Sequence, residues 1–361
     1  MILLLTGLSS CSKEETFPGD KVYWLGTAYF LTTAELNYIT NISARTGGYL
    51  INKLGLSIEC TKLGVCWSTS QNPTTADNKT EQYGKNNPEH FHSSIAGLNP
   101  GTTYFVRAYM TNSAGTIYGN ELSFATPEFW ELDVFNPNLT YGSVEDIDGN
   151  IYKTIKIGTQ IWMAENLKTT RYSDGSQISN VTGDDNWVAL QTGAYRWYEN
   201  DTVTFKNIYG ALYNWHTVNT GKLCPTGWHV PNDQEWKQLE MTLGMTQTEA
   251  DNFGEFPGID ARGTDQGNKM KSTRGWNSWG GINGNGTNTS GFSALPGGEV
   301  GWSGVYGGAI NCYFGCVGDC TSWWTSEVEG AARCVASYCS GVIRGVYPGI
   351  CGFSVRCLKD N

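Results

Sequence analysis

From Lys21 onward, apolar and polar residues alternate in short runs broken by Gly, Asn and Pro, as in ITNISARTGGYL, KLGVCWSTSQNPTT and GLNPGTTYFVRAYMTNSAGTIYGNELSFATP. A period of two held for roughly five to eight residues between turn signals predicts antiparallel strands, and a succession of them predicts a β-sandwich over residues 20–127. Within TTYFVRAYMTN the alternation puts Tyr104, Val106, Ala108 and Met110 on one face and Phe105, Arg107 and Tyr109 on the other, so one of these faces is core. The period then lapses: residues 128–143 carry Pro and Asn without pattern and read as a linker.

Beyond the linker, Asp148-Gly149 between alternating runs is a hairpin turn signal. The surrounding Asp146-Ile147-Asp148-Gly149-Asn150 has the opening of a calcium loop but lacks the downstream glutamate, so the turn is the better reading. In KLCPTGWHVPNDQEWKQLEMTLGM, Asn232 and Glu235 form a capping box, and Trp236, Leu239 and Leu243 recur at helical spacing. One face of that helix must be buried. The last stretch differs: from Ser303 to Ser322 and from Gly330 to Cys351 there is neither period, nor any Lys, Glu, Gln, Met or Trp. Both segments read as loops, held between Trp302, Trp323, Trp324 and a strand-like GFSVRCLKD.

Composition narrows the class. Charged residues are 16%, aromatics 13% and glycines number 45, the balance of a loop-rich extracellular β protein. A net charge of -10 argues against nucleic acid as a partner, because such partners need a basic footprint. The amino terminus has a short apolar run closing at Leu8-Ser9-Ser10-Cys11, which resembles the lipobox of bacterial lipoproteins, and Ser12-Lys13-Glu14-Glu15 resembles an acidic surface-export tag. Residues 1–19 are then a lipoprotein signal and tether, with lipid on Cys11. The run is shorter than the roughly 20 residues a bilayer crossing needs, so the lipid is the sole membrane contact. The implied location is the bacterial outer membrane, facing out, where disulfides are permitted.

Two family resemblances follow. GLNPGTTYFVRAYMTNSAGTIYG resembles the close of a fibronectin type III-like module, a spacer in bacterial surface proteins. DGNIYKTIKIGTQIWMAENLKTTRYSDG, CPTGWHVPNDQEWKQLE, GFSALPGG, WWTS and GFSVRCLKD, in that order over residues 144–361, resemble the Fibrobacter succinogenes major paralogous domain. The resemblance implies a C-type lectin-like fold, hence an α+β second domain in a mainly β chain, and a disulfide between Cys224 and Cys357. The Glu-Pro-Asn and Trp-Asn-Asp calcium motifs of sugar-binding lectins are absent, so the fold does not itself imply calcium or sugar.

The five missing residue types are those that codons ending in a pyrimidine cannot encode. This pattern resembles proteins diversified by a retroelement, in which adenines are randomised and a lectin-like frame carries the variable face. Cys312, Cys316, Cys320, Cys334, Cys339 and Cys351 are then passengers, some open to adventitious pairing. The plainer alternative is that extracellular loops favour Gly, Ser, Tyr and Asn. As a binding face, Tyr306, Tyr313, Phe314, Tyr338 and Tyr347 would supply rigid amphipathic anchors, and Asn311, Asp319, Arg333, Ser337 and Arg344 polar contacts. The expected ligand is a protein or glycan on a cell, phage or host surface.

No enzyme, cofactor or metal is expected, since serine-hydrolase, phosphate-loop and zinc-protease patterns are missing. His90 and His92 beside Glu89 lack a third ligand and read as a solvated strand edge. The enzyme alternative is a copper oxidase, because Cys334 and Cys339 resemble the copper site of formylglycine-generating enzymes. A structural alternative is a fibre tip with the fibronectin-like domain as stalk. Pairing of Cys60 with Cys66 requires a turn between them and stays open.

Overall fold

The computed structural model describes residues 23–360 except 25–28, 40–41, 53–59, 84–89, 114, 127–133, 254–260, 307–308 and 328–329; at 23, 24, 29, 52, 83, 302–306 and 309–313 it describes backbone alone. Cys11 and Glu89 lie outside the described residues. The chain divides into two compact units, Met1–Trp130 and Glu131–Asn361.

In the first unit the strands are β1 (Tyr23–Trp24), β2 (Tyr29–Thr33), β3 (Ser43–Asn52), β4 (Lys62–Ser68), β5 (Asn78–Lys79), β6 (Gln82–Tyr83), β7 (His90–Ala96), β8 (Thr103–Asn112), β9 (Gly115–Tyr118) and β10 (Leu122–Ala125). They form two antiparallel sheets, β1-β2-β3-β7 and β10-β8-β4-β5, with β6 beside β4 and β9 beside β8. Tyr104, Val106, Ala108 and Met110 of β8 turn inward against Ala44, Leu50, Val65 and Ile95, so the alternation read from the sequence does select the core face. Cys60 and Cys66 remain unpaired thiols, each donating to a backbone carbonyl, of Lys62 and Pro73 respectively. His90 and His92 project outward from β7.

The second unit has strands β11 (Gly142–Glu145), β12 (Ile151–Ile157), β13 (Gln160–Met163), β14 (Ser179–Asn180), β15 (Ala194–Arg196), β16 (Leu212–Tyr213), β17 (Trp228–His229), β18 (Gly297–Tyr306), β19 (Ala309–Val317), β20 (Cys320–Trp324), β21 (Ala331–Ala336), β22 (Ile343–Val346) and β23 (Leu358–Lys359). Its helices are short: α1 (Asp184–Val188), α2 (Lys206–Tyr209), α3 (Trp215–Val218), α4 (Asp233–Thr242), α5 (Gln247–Asp251) and α6 (Gln266–Met270). Three sheets result, β11-β12-β13-β23-β17, β14-β15-β16 and β19-β18-β20-β21-β22, so the unit's first and last strands share a sheet. Among the described residues no helix is long and apolar enough to cross a membrane.

Residues 134–141, within the segment read as a linker, pack on this unit: Val134 is buried, its carbonyl accepts from Asn288 Nδ2 at 2.6 Å, and Phe135, Leu139 and Tyr141 lie against the core. Asp146 closes a turn by accepting from the backbone of Asp148 and Asn150, and Gly149 takes φ +80, a left-handed value that a side chain disfavours. The calcium-like sequence is therefore a hairpin turn, as its chemistry suggested.

The two compositionally odd segments are a correction to the loop reading. They fold mostly as strands β18 to β22. A strand buried on both faces shows no alternation, and all six residues of AARCVA in β21 are buried, so the period carried no signal there.

Candidate binding face and its frame

The five family-like motifs read from the sequence converge on one cluster. Trp162, Trp236, Phe292 and Trp323 pack together, with Trp162 4.8 Å from Trp236 and Phe292 5.4 Å from Trp323 between ring centroids. Asn166 sits at the centre of the accompanying polar contacts. Its Oδ1 accepts from Trp323 Nε1 at 2.9 Å and Arg356 Nε at 2.8 Å, and its Nδ2 donates to the Tyr209 carbonyl and to Ser354 Oγ. Arg356 lies over Phe292 at 4.2 Å, and burial pushes its guanidinium below the ordinary range. On the other side of the frame Cys224 and Cys357 form a disulfide, with Cα atoms 5.9 Å apart.

The helix α4 presses on the β18–β22 sheet through charge. Glu240, fully buried, accepts from Arg262 Nη2 and Arg333 Nε, both at 2.7 Å. Asp233 accepts from Arg333 at 2.8 Å and from Arg344 at 2.6 Å. Burial alone would raise the Asp233 carboxyl; the two guanidinium groups win and hold it below its ordinary value. Arg333 is 0% exposed, and Arg344, also buried, stacks over Phe253 at 3.8 Å. These two arginines were expected to reach a ligand. They face α4 instead, because alternate residues of β21 and β22 point to the helix side, where the buried Glu240 and the partly buried Asp233 offer carboxylates.

On the opposite side of the sheet, Cys320, Cys334, Ala336 and Ile343 make a small buried cluster with Cys316 and Cys339 at its edge. Cys316 and Cys320 are joined as a disulfide around the turn Val317-Gly318-Asp319, while Cys334, Cys339 and Cys351 are not in disulfides. Burial holds the Cys334 thiol well above the ordinary range, with the nearby Glu299 adding to it. Glu299, from β18, accepts from Ser322 Oγ at 2.8 Å, and burial raises its carboxyl.

At the end of this sheet the surface changes character. Asp319 accepts from Ser337 twice, at its carbonyl from the backbone N–H at 2.7 Å and at Oδ1 from the hydroxyl at 3.0 Å; Ser337 is thereby buried rather than offered to a ligand. Lys271, buried to 1% exposure, donates to the carbonyls of Ala336 and Cys339 at 2.9 Å each, and so fixes the turn that carries Tyr338 outward. Tyr338 is 45% exposed and its ring lies 5.9 Å from that of Trp279, tilted by 59°. Partial burial and the neighbouring thiols push its hydroxyl up to about 12.

Trp279 and Ile282 were not singled out from the sequence. They flank Gly280-Gly281, both at positive φ, and exchange two backbone hydrogen bonds of 2.9 Å, which makes a two-residue hairpin whose tip shows Trp279 at 60% and Ile282 at 73% exposure. Bulky apolar residues either side of Gly-Gly were the available signal. This hairpin rests against the Ser337 turn: a Cβ on Gly284 would lie 2.1 Å from the Asn277 carbonyl and 2.7 Å from Ser337 Cβ.

Of the remaining expected contacts, Phe314 is half-buried between Tyr198 and the guanidinium of Arg196. Tyr347 packs edge-on to Phe353 at 5.1 Å, and burial raises its hydroxyl strongly. Tyr306, Asn311 and Tyr313 belong to the β18–β19 hairpin, and their side chains lie outside the described residues. The structure thus gathers Asp319, Ser337 and Tyr338 and sends Arg333 and Arg344 inward.

The model of the Fibrobacter succinogenes major domain matches residues 155–359. The chain belongs to that family. Its matched span starts inside β12 and ends in β23, and so takes in the aromatic cluster, the disulfide and the exposed aromatic rim. No curated protein matches the chain. Among solved structures, it is similar to the sensor domain of the anti-sigma factor RsgI4 of Pseudobacteroides cellulosolvens, at 19% identity over 27% of this chain and 74% of that one, TM-score 0.22. It is also similar to a fibronectin type III domain of human KIAA0970 protein, at 13% identity over 32% and 85%, TM-score 0.22.

Proposed function

We propose that the second unit is a non-catalytic binding module, displayed on the bacterial outer membrane through lipid on Cys11, with the first unit as a fibronectin-like spacer. The observation that carries this is the rim of Trp279, Ile282 and Tyr338, three large exposed apolar side chains beside Asp319 on a frame held by a disulfide and buried ion pairs. Aromatic rings of this kind supply contact area at little conformational cost. The ligand is a protein or glycan of a cell, phage or host surface.

The pairing of the unit's opening strands with its last, β13 with β23, and the Cys224–Cys357 staple support a C-type lectin-like reading of the frame. The absence of five residue types from two segments supports retroelement diversification, and burial narrows its reach. Positions that tolerate change are those at the rim, such as Asp319, Tyr338 and their neighbours, whereas Arg333 must stay. The nucleotide sequence checks this: a near-copy of the 3′ end should differ at adenines in rim codons and spare the Arg333 codon. Copper chemistry at Cys334 and Cys339 has less support, since the surrounding span matches the Fibrobacter succinogenes major domain.

Binding of the full chain to arrayed glycans and to intact cells, compared with Tyr338→Ala, tests the reading. Loss of the wild-type signals in the variant, at an unchanged melting temperature, supports it. Equal signals from both chains contradict it.

A further inference from the structure

Glu299, Cys316 and Cys320 each bring one ligand atom into a group whose members all lie within 4.8 Å of one another, the one such group among the described residues. The carboxylate comes from β18, the first sulfur from the end of β19 and the second from the start of β20, so three neighbouring strands of one sheet supply the set. Glu299 and Cys316 are intermediate in exposure and Cys320 is buried. The carboxylate takes one hydrogen bond among the described residues, from Ser322 Oγ to Oε2.

We infer that Glu299, Cys316 and Cys320 form a redox-gated site for a thiophilic divalent cation, closed when the two sulfurs are joined and open when they are reduced. Two thiolates and one carboxylate match zinc, which accepts mixed sulfur and oxygen ligands in tetrahedral geometry; copper(I) is the poorer fit because it disfavours the hard carboxylate. Three protein ligands leave a fourth position for water or a ligand atom.

The gating step balances with a thiol reductant. Two R–SH groups give up two electrons and two protons, forming R–S–S–R, and the Cys316–Cys320 bond breaks to two thiols. The cation then displaces the two thiol protons to solvent, and each sulfur donates its electron pair to the metal. The same pair brackets the turn that presents Asp319, whose carboxylate accepts from Ser337. Metal and disulfide are thus alternative clasps on one edge of the rim. This inference is independent of the binding reading above.

The test uses the full chain with Zn²⁺ alone as probe, by competition with a chromophoric chelator, and Co²⁺ for its thiolate charge-transfer band. The reduced wild type should take up one more Zn²⁺ than the reduced Cys316→Ser/Cys320→Ser variant and show the cobalt band, and the oxidised chain should show neither. Glu299→Gln keeps both cysteines and an acceptor for Ser322, so it separates loss of the site from loss of the fold; it should weaken uptake at least about tenfold. Cys334→Ser, outside the set, should bind as the wild type does. Full uptake by the double serine variant, wild-type affinity in Glu299→Gln, or equal uptake by the oxidised chain would overturn the proposal.

Discussion

Glu240 and Arg333 show how a residue's chemistry and its place can point in different directions. An arginine in a Gly- and Tyr-rich segment reads as a ligand contact, yet Arg333 Nε spends its hydrogen bond on a carboxylate with no solvent exposure. Removing one partner of such a pair leaves a buried charge uncompensated, so Glu240→Gln should destabilise by about 3–5 kcal/mol, measured by denaturant unfolding. Asp233 adds a pH dependence whose sign follows from its lowered carboxyl. Its contribution is fully present above the unfolded carboxylate value of about 3.9 and is lost as pH falls through the lower folded value. Melting temperature should therefore drop below about pH 4 more steeply in the wild type than in Asp233→Asn. His229 runs the other way. Burial tends to lower it, but Asp360 and Glu235, 2.6 and 2.9 Å away, raise it above its ordinary value. That contribution is complete below about pH 6.5 and fades as pH rises through the folded value.

At the scale of elements, what could be read beforehand was whatever carries a local period or a local cap. The capping box is present, with Asn232 Oδ1 accepting from Glu235 N–H at 2.8 Å and Glu235 returning the contact to the Asn232 N–H, and Trp236 and Leu239 face the core as their spacing required. The β18–β22 sheet was not legible, because its central strands are covered on both faces and lose the alternation that marks a half-buried strand. Trp279 was missed for a different reason. Its significance depends on meeting Tyr338, and nothing local in either stretch announces that contact. The Cys224–Cys357 pairing came from family resemblance alone, and the structure contains it. It closes a loop of sequence separation 133, so Cys224→Ser with Cys357→Ser should cost about 2–5 kcal/mol in denaturant unfolding and lower the melting temperature.

For the whole molecule, the residues that hold the frame and those of the proposed binding face are separate sets. Trp162, Trp236, Phe292 and Trp323, with Asn166 and Arg356, hold the motifs of the family together and have no surface to offer. Trp279, Ile282 and Tyr338 are exposed and stand apart from that cluster, so the proposed binding face can be altered without touching its frame. The most direct test is a titration of the full chain against the proposed cell-surface or glycan ligand, comparing wild type with Trp279→Ala/Tyr338→Ala and following the melting temperature of each. The account predicts that the double variant loses about thirtyfold or more in affinity, as buried aromatic anchors do, while its melting temperature stays at the wild-type value. Wild-type affinity in the double variant, or a melting temperature that falls with the affinity, would contradict it.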